Sequence, residues 1–229
     1  MVNENKQGKL FLVGLGPGES QYLTGAALAA LKESDVIVGF RAYIEQAGDL
    51  LSGKELVSME LGQEMERASK AVELAYAGRV VSVVSSGDAG IYGMSGPVFQ
   101  VLNSLEWDGN NPHVETVPGI SAMQSAAALL GAPLMQDFCT ISLSDLMTPW
   151  EAITQRLNAA AQGDFVVALY NPRSRTRDWQ LLEARRILLE HRSGKTPVGI
   201  VKDAFRPGQQ VTITDLDGLE GIIEDVNMV

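Results

Sequence analysis

A glycine-rich turn near the amino terminus is the first feature of this sequence that could bind a ligand. The segment KLFLVGLGPGESQYLT, residues 9–24, leads from an apolar run through Gly14 and Gly16 to a helix start. Glycines spaced in this way after a strand are typical of dinucleotide-binding turns, where the backbone approaches a pyrophosphate. Here Glu19 stands where the third glycine belongs, and Pro17 removes one backbone N–H from the turn. The turn therefore favours close backbone approach but is poorly suited to phosphate.

Five further polar segments follow apolar runs that are typical of strands. They are SSGDAGIYG at 85–93, VPGISAMQSA at 117–126, ISLSD at 141–145, ALYNPRSR at 168–175 and VKDAFRPGQ at 201–209. In open α/β sheets, ligands bind at the carboxyl ends of the strands. We therefore expect these segments to carry the functional site.

The segments between these ends predict strands alternating with helices. The predicted strands are residues 10–13, 36–38, 80–84, 114–117, 138–143, 165–170 and 197–202. The predicted helices are residues 24–33, 63–77, 96–103, 122–130, 150–161 and 176–191. This order predicts an α/β fold with parallel sheets. Turn residues at 107–112 and 118–121 predict two α/β domains, 1–117 and 118–229.

Composition limits the classes of function. The chain has 229 residues, 45% of them apolar, and a formal net charge of −10, which argues against a broad surface for nucleic acid or anionic membranes. Cys139 is the single cysteine, so an intramolecular disulfide is excluded, and we expect a buried, inert thiol. No pattern has metal-ligand spacing. The first residues lack an apolar signal core and no apolar run is long enough to span a membrane, which predicts a cytoplasmic protein.

Taken together, the six segments resemble the tetrapyrrole methylase family from about residue 9 to residue 229. The combination of YNPRSR, VKDAFRPGQ and SGDAGIYGM is most similar to the branch that methylates precorrin-3B or cobalt-factor III at carbon 17 in cobalamin biosynthesis. The resemblance implies two α/β domains with a cofactor cleft between them. It implies S-adenosylmethionine as the cofactor, S-adenosylhomocysteine as its product, an anionic tetrapyrrole as the substrate and a homodimer.

The resemblance also implies residues that contact the cofactor. They are Gly87, Asp88, Ile91, Ser121, Ala122, Asn171 and Ala204. Local structure offers an alternative for several of them. Asp88 is also a common turn cap, Ser121 a common helix N-cap, and Asn171 a common turn former before proline.

Two further groups of residues complete the predicted site. The predicted substrate contacts are Gly16, Pro17, Arg173, Arg175, Lys202 and Arg206. Guanidinium groups suit the many carboxylates of a precorrin, although solvated ion pairs are the alternative for each basic residue. The resemblance implies ring contraction with lactone formation after methylation, which requires proton transfers. Asp88, Ser86 and Asp145 are the candidates for the acid or base.

Three other functions stay open at this point. A sister enzyme would methylate another carbon of the precorrin ring, a nicotinamide-dependent oxidoreductase would bind a dinucleotide at the first turn, and a noncatalytic carrier would bind tetrapyrrole without turnover. The resemblance also implies a last strand after the final helix. The sequence ends at GLEGIIEDVNMV, so we expect that strand to be truncated.

Overall fold

The computed structural model describes residues 7–174 and 177–222. Contacts divide the chain into two compact units, the first ending at Ala122 and the second beginning at Met123. Both units combine helices with strands, which confirms the predicted α/β class. The boundary predicted after residue 117, and the cofactor cleft expected between two domains, stay predictions.

The first unit contains a sheet of five parallel strands in the order β3-β2-β4-β1-β5. The strands are β1 (Lys9–Gly14), β2 (Val36–Phe40), β3 (Glu55–Met59), β4 (Val80–Ser85) and β5 (His113–Val117). Its helices are α1 (Gly25–Glu33), α2 (Arg41–Ala47), α3 (Glu64–Tyr76) and α4 (Ser95–Ser104). Val13 of β1 lies opposite Val84 of β4 and Val117 of β5, so these three strands end at one level.

Both faces of this sheet are buried under helices. On one face Leu10 and Leu12 of β1 pack in a core with α3 and α4, and on the other Phe11 and Val13 pack with α1 and α2. Alternate residues of a strand point to opposite faces, so an apolar run such as LFLV fits a strand that is covered on both sides. The side chain of Thr24 starts α1 by accepting the backbone N–H of Ala27 at 3.1 Å. This packing fixes the carboxyl ends of β1, β4 and β5.

The second unit contains two short sheets. The strands β6 (Phe138–Ser142) and β7 (Val166–Tyr170) are parallel, whereas β8 (Pro197–Lys202) and β9 (Gln210–Asp215) are antiparallel. The helices from the unit boundary onward are α5 (Ala122–Leu129), α6 (Trp150–Gln162), α7 (Gln180–Leu189) and α8 (Leu219–Ile222). The core joins Ile141 and Leu143 to buried apolar side chains of α6 and α7. It fixes the carboxyl ends of β6 and β7.

Several elements differ from the sequence prediction. The prediction missed α2, β3, β9 and α8, and it started the helix after β7 at residue 176, whereas α7 begins at Gln180. Exposed residues dominate β3 and β9, so neither strand has the apolar run by which buried strands are found. Before α7, Ser174 and Arg177 exchange two backbone hydrogen bonds, and the helix begins only at Gln180.

Cys139 is only half-buried, so the expectation of a buried thiol was wrong. It lies on β6, a strand with exposed and half-buried positions. Partial burial raises the pKa of its thiol, while the charge of Arg192 opposes that shift. The thiol form is thus favoured, which agrees with an inert side chain.

The described residues contain neither a candidate membrane-spanning helix nor a candidate metal site. No helix within 7–174 or 177–222 is long and apolar enough to cross a membrane. In the same ranges, no three side chains of His, Cys, Asp or Glu form a group that can hold a metal ion.

Candidate functional site

Three glycine backbones meet where β4, β1 and β5 end. Gly16 and Gly87 exchange two backbone hydrogen bonds, of 3.0 and 2.8 Å, which join the loop after β1 to the loop after β4. A Cβ atom on Gly119 would lie 2.2 Å from the carbonyl oxygen of Gly87 and 2.7 Å from that of Gly14. Only glycine permits this approach, so the three loops form one tightly packed backbone surface.

Asp88 joins two of these loops through its carboxylate. One oxygen, Oδ1, accepts the N–H of Gly90 at 2.8 Å, and the other, Oδ2, accepts the N–H of Gly119 at 3.0 Å. The first bond is the turn-capping role that the sequence offered as an alternative. The second bond reaches the loop after β5. Both carboxylate oxygens are therefore engaged in holding the backbone.

Ser85 and Met94 anchor the segment SGDAGIYGM, residues 86–94, within the first unit. The hydroxyl oxygen of Ser85, the last residue of β4, accepts the backbone N–H of Met94 at 3.0 Å. Met94 is buried, and its sulfur accepts a hydrogen bond from Arg67 Nη1 at 3.3 Å. The loop is thus tied at both ends to the sheet and to α3.

Arg67 is a supporting residue that the sequence analysis missed. It is 3% exposed, and Nη2 donates to the carbonyl of Glu60 at 2.7 Å. Burial lowers its pKa from the ordinary arginine value, and the neighbouring Glu64 opposes that shift. The spacing of Arg67, Ala71 and Ala75 was a signal for its burial, because residues four apart lie on one face of a helix, and this face is buried in α3.

Three of the predicted cofactor contacts lie side by side in the first unit. A Cβ on Gly87 would lie 3.5 Å from the backbone nitrogen of Ala122 and 3.6 Å from the Cα of Ser121. Ser121 is buried and directly precedes α5. Ser86 and Ile91 are half-buried in the loop after β4. The structure therefore brings Gly87, Ser121 and Ala122 together, beside the anchored Asp88.

The predicted substrate contacts in the first loop have a different environment. Gly16 and Pro17 are both buried. The N–H and the carbonyl of Gly16 are already bonded to Gly87. Contact of these two residues with a substrate stays a prediction.

In the second unit, Asn171 follows β7 and is fixed by two hydrogen bonds. It has a φ of 52°, in the left-handed region, which asparagine tolerates better than most residues. Its Nδ2 donates to the hydroxyl of Ser142 at 2.9 Å, and its carbonyl accepts Nε of the buried Arg177 at 3.0 Å. The predicted cofactor residue Asn171 thus joins the ends of β6 and β7.

We expect the positive φ of Asn171 to make alanine and glycine variants differ in stability. Asn171→Ala loses the amide bond to Ser142 and places a residue with a Cβ at positive φ, which costs about 1–2 kcal/mol. Asn171→Gly loses the same bond without that backbone cost, so it should be more stable than the alanine variant by about 1 kcal/mol. Urea unfolding of both variants measures the difference. Equal stabilities would contradict the backbone argument.

Asp145 also lies beyond the end of β6. It is exposed, and its Oδ2 accepts Nε2 of Gln180 at 3.0 Å. Gln180 is the first residue of α7 and is 1% exposed. Asp145 and Asn171 therefore share one edge of the β6–β7 sheet.

The remaining predicted residues lie at the end of β8 and in the loops after β7 and β8. Arg173 is half-buried, and Arg175 lies outside the described residues. Lys202 is the last residue of β8, whereas Ala204 and Arg206 lie in the connection to β9, and all three are half-buried. In that connection Gln209 accepts the backbone N–H of Phe205 at 2.8 Å through its side chain, which holds the turn.

Fold and site define an α/β protein whose polar loops collect at the carboxyl ends of parallel strands. The sequence profile of the Tetrapyrrole (Corrin/Porphyrin) Methylases matches residues 9–220. The chain therefore belongs to the tetrapyrrole methylase family.

Two relatives and one solved structure are similar over nearly the whole chain. A cobalt-factor III methyltransferase of Priestia megaterium is 50% identical over 92% of this chain, which spans 39% of that longer protein. A probable cobalt-factor III C(17)-methyltransferase of Salmonella typhimurium is 42% identical over 96% of this chain and 89% of its own length. The crystal structure of the methyltransferase CobJ has a TM-score of 0.88 at 37% identity, covering 96% of this chain and 90% of that one.

Proposed function

We propose that this chain transfers a methyl group from S-adenosylmethionine to carbon 17 of cobalt-factor III or precorrin-3B, with ring contraction, in cobalamin biosynthesis. The observation that carries the proposal is the 50% identity, over 92% of the chain, to a relative named cobalt-factor III methyltransferase. The Salmonella relative supports it, since it has the same kind of name and the chain spans 89% of its length.

The charges of the first-unit loops support this cofactor. Residues 14–24, 85–93 and 117–122 contain no lysine or arginine, while Glu19 and Asp88 carry negative charge. A pyrophosphate would lack a basic partner there, and Pro17 offers it no N–H. S-Adenosylmethionine has no phosphate and carries a positive sulfonium, so these loops suit it.

The proposed chemistry requires the protein to position the cofactor and the substrate. It requires no nucleophilic side chain. When bound, S-adenosylmethionine supplies a methyl group that its sulfonium has already activated. The backbone surface around Gly14, Gly87 and Gly119 gives the cofactor a rigid wall, because no side chain separates the three loops. Holding reacting groups in the correct geometry can contribute about 7–11 kcal/mol to a reaction.

The basic residues of the second unit are proposed to hold the substrate. Arg173 and Arg206 lie half-buried in the loops that follow β7 and β8, and Lys202 is half-buried at the end of β8. Guanidinium and ammonium groups pair with carboxylates, and a precorrin presents several of these on acetate and propionate chains. These residues orient the macrocycle through the carboxylates at its periphery.

Calorimetric titration with S-adenosylhomocysteine tests the proposal first. We expect the protein to bind this product with one site per chain and to give no heat of binding with nicotinamide adenine dinucleotide. Binding then justifies assays with cobalt-factor III and with precorrin-3B, in which the position of the new methyl group separates carbon 17 from the other ring carbons. Binding of the dinucleotide alone would overturn the methyltransferase assignment.

The proposal includes a cytoplasmic location and a homodimer. Apolar side chains that are strongly exposed in the second unit support self-association: Met135 at 80%, Leu146 at 83%, Met147 at 78% and Ile213 at 73%. Such side chains are normally covered in a stable assembly. Light scattering on the eluting protein would give the mass of two chains, and a single-chain mass at micromolar concentration would rule the dimer out.

A further inference from the structure

We infer that Gln180 is a positioning residue for Asp145, and that Asp145 is the base that takes up the proton released by C-methylation. The inference rests on the proposed methyltransferase function. It starts from the hydrogen bond of 3.0 Å between Gln180 Nε2 and Asp145 Oδ2 at the carboxyl end of β6.

Charge balance requires a base in this reaction. Methyl transfer from a sulfonium delivers the methyl group together with a positive charge, and the sulfur keeps the electron pair of the broken bond. The methylated macrocycle becomes neutral again when an O–H or C–H bond breaks, its electron pair stays on the macrocycle and the proton leaves. A carboxylate near the ring can accept that proton and pass it to water.

The two carboxylate candidates for this role, Asp88 and Asp145, have different environments. Both carboxylate oxygens of Asp88 already accept backbone N–H groups, from Gly90 and Gly119. Asp145 is exposed and, among the described residues, is bonded through one oxygen only, to Gln180. Asp145 is thus the carboxylate with an oxygen available for a substrate proton.

One half of the buried Gln180 amide has no hydrogen-bond partner among the described residues. The side chain is 1% exposed, and its Oε1 atom is buried with no hydrogen-bond partner in the described part of the chain. A buried acceptor without a donor destabilises a fold, whereas an apolar side chain of the same shape does not. In the described part of the chain, the side chain of Gln180 makes its hydrogen bond to Asp145, so the role of the amide lies in holding that carboxylate.

The amide of Gln180 also serves both protonation states of Asp145. With a carboxylate, the NH2 group donates to Oδ2, as observed. When the free oxygen Oδ1 takes a proton, Oδ2 becomes the carbonyl oxygen of the acid and still accepts the same N–H, so the amide keeps its position. Gln180 can therefore hold Asp145 in one place before and after proton uptake.

The test compares methyl transfer with product formation in a single turnover. Gln180→Met should fold and unfold like the wild type or at a higher temperature, bind S-adenosylhomocysteine normally and keep its KM. Formation of the final ring-contracted product should fall about 10²-fold, the scale of a lost general base. Gln162→Met, at an exposed position of the second unit, is the matched control and should leave product formation unchanged.

A double variant separates positioning from simple structure. If Gln180 acts through Asp145, Asp145→Asn combined with Gln180→Met should be no slower than Asp145→Asn alone. Independent, multiplying losses would overturn the inference, as would wild-type product formation by Gln180→Met. Loss of S-adenosylhomocysteine binding by that variant would assign Gln180 a structural role instead. If the wild type forms no S-adenosylhomocysteine from either tetrapyrrole, the proposed function itself fails, which is a different result.

Discussion

Gly119→Ala is expected to destabilise the first unit by about 3 kcal/mol and to slow methyl transfer about 10²-fold in the chains that remain folded. The new Cβ would lie 2.2 Å from the carbonyl oxygen of Gly87 and 2.7 Å from both the carbonyl carbon and the oxygen of Gly14. These are backbone atoms of neighbouring loops, so no flexible side chain can move aside. The loops after β1 and β5 must separate, and the backbone surface proposed to hold the cofactor changes shape.

Gly96→Ala is the matched control for this substitution. Gly96 lies in α4 of the same unit, it is exposed, and a Cβ added there meets no atom within 4 Å apart from its two chain neighbours. Alanine favours a helix over glycine by about 1 kcal/mol, but Pro97 disfavours a Cβ on the helical residue before it, so this variant should stay close to the wild type in stability and keep its activity. Urea unfolding and a methyl-transfer assay of both variants measure the contrast. A Gly119→Ala protein with wild-type stability would show that the three loops do not pack as described.

Asp88→Ala is expected to lower the free energy of unfolding by about 2 kcal/mol and to weaken S-adenosylhomocysteine binding. The substitution removes the acceptors of two backbone N–H groups, on Gly90 and Gly119, and the N–H of Gly119 is partly buried. An unpaired buried donor costs about 1–3 kcal/mol. Asp88→Asn keeps only one oxygen acceptor, so it should fall between the wild type and the alanine variant in both measurements.

Asp108 offers the control for Asp88. Its carboxylate also accepts two backbone N–H groups, those of Asn110 and Asn111, in a turn that precedes β5 and lies away from the carboxyl ends of the strands. These bonds lower the pKa of Asp108 below the ordinary aspartate value. Asp108→Ala should lose stability without any change in S-adenosylhomocysteine affinity. Equal losses of affinity in Asp88→Ala and Asp108→Ala would mean that the Asp88 effect is only a general loss of stability.

Periodicity in the sequence predicted most of the fold. Buried strands such as β1 and β4 are continuous apolar runs, and the glycine and polar residues after them mark their carboxyl ends. Exposed strands lack that signal, which is why β3 and β9 were missed. The start of α7 was missed because no local pattern specifies the backbone hydrogen bonds between Ser174 and Arg177 that precede it.

The sequence by itself determined the fold class, the family and the places where polar residues follow strands. These properties depend on local composition and on the spacing of residues along the chain, and both can be read directly from the sequence. Only the tertiary structure decided what each polar residue does, because its partners are distant in sequence: Asp88 bonds to Gly119 and Gln180 bonds to Asp145. Such pairs form only when the fold brings the ends of separate strands and helices together, so Asp88 holds two backbone N–H groups and Asp145 keeps one oxygen available.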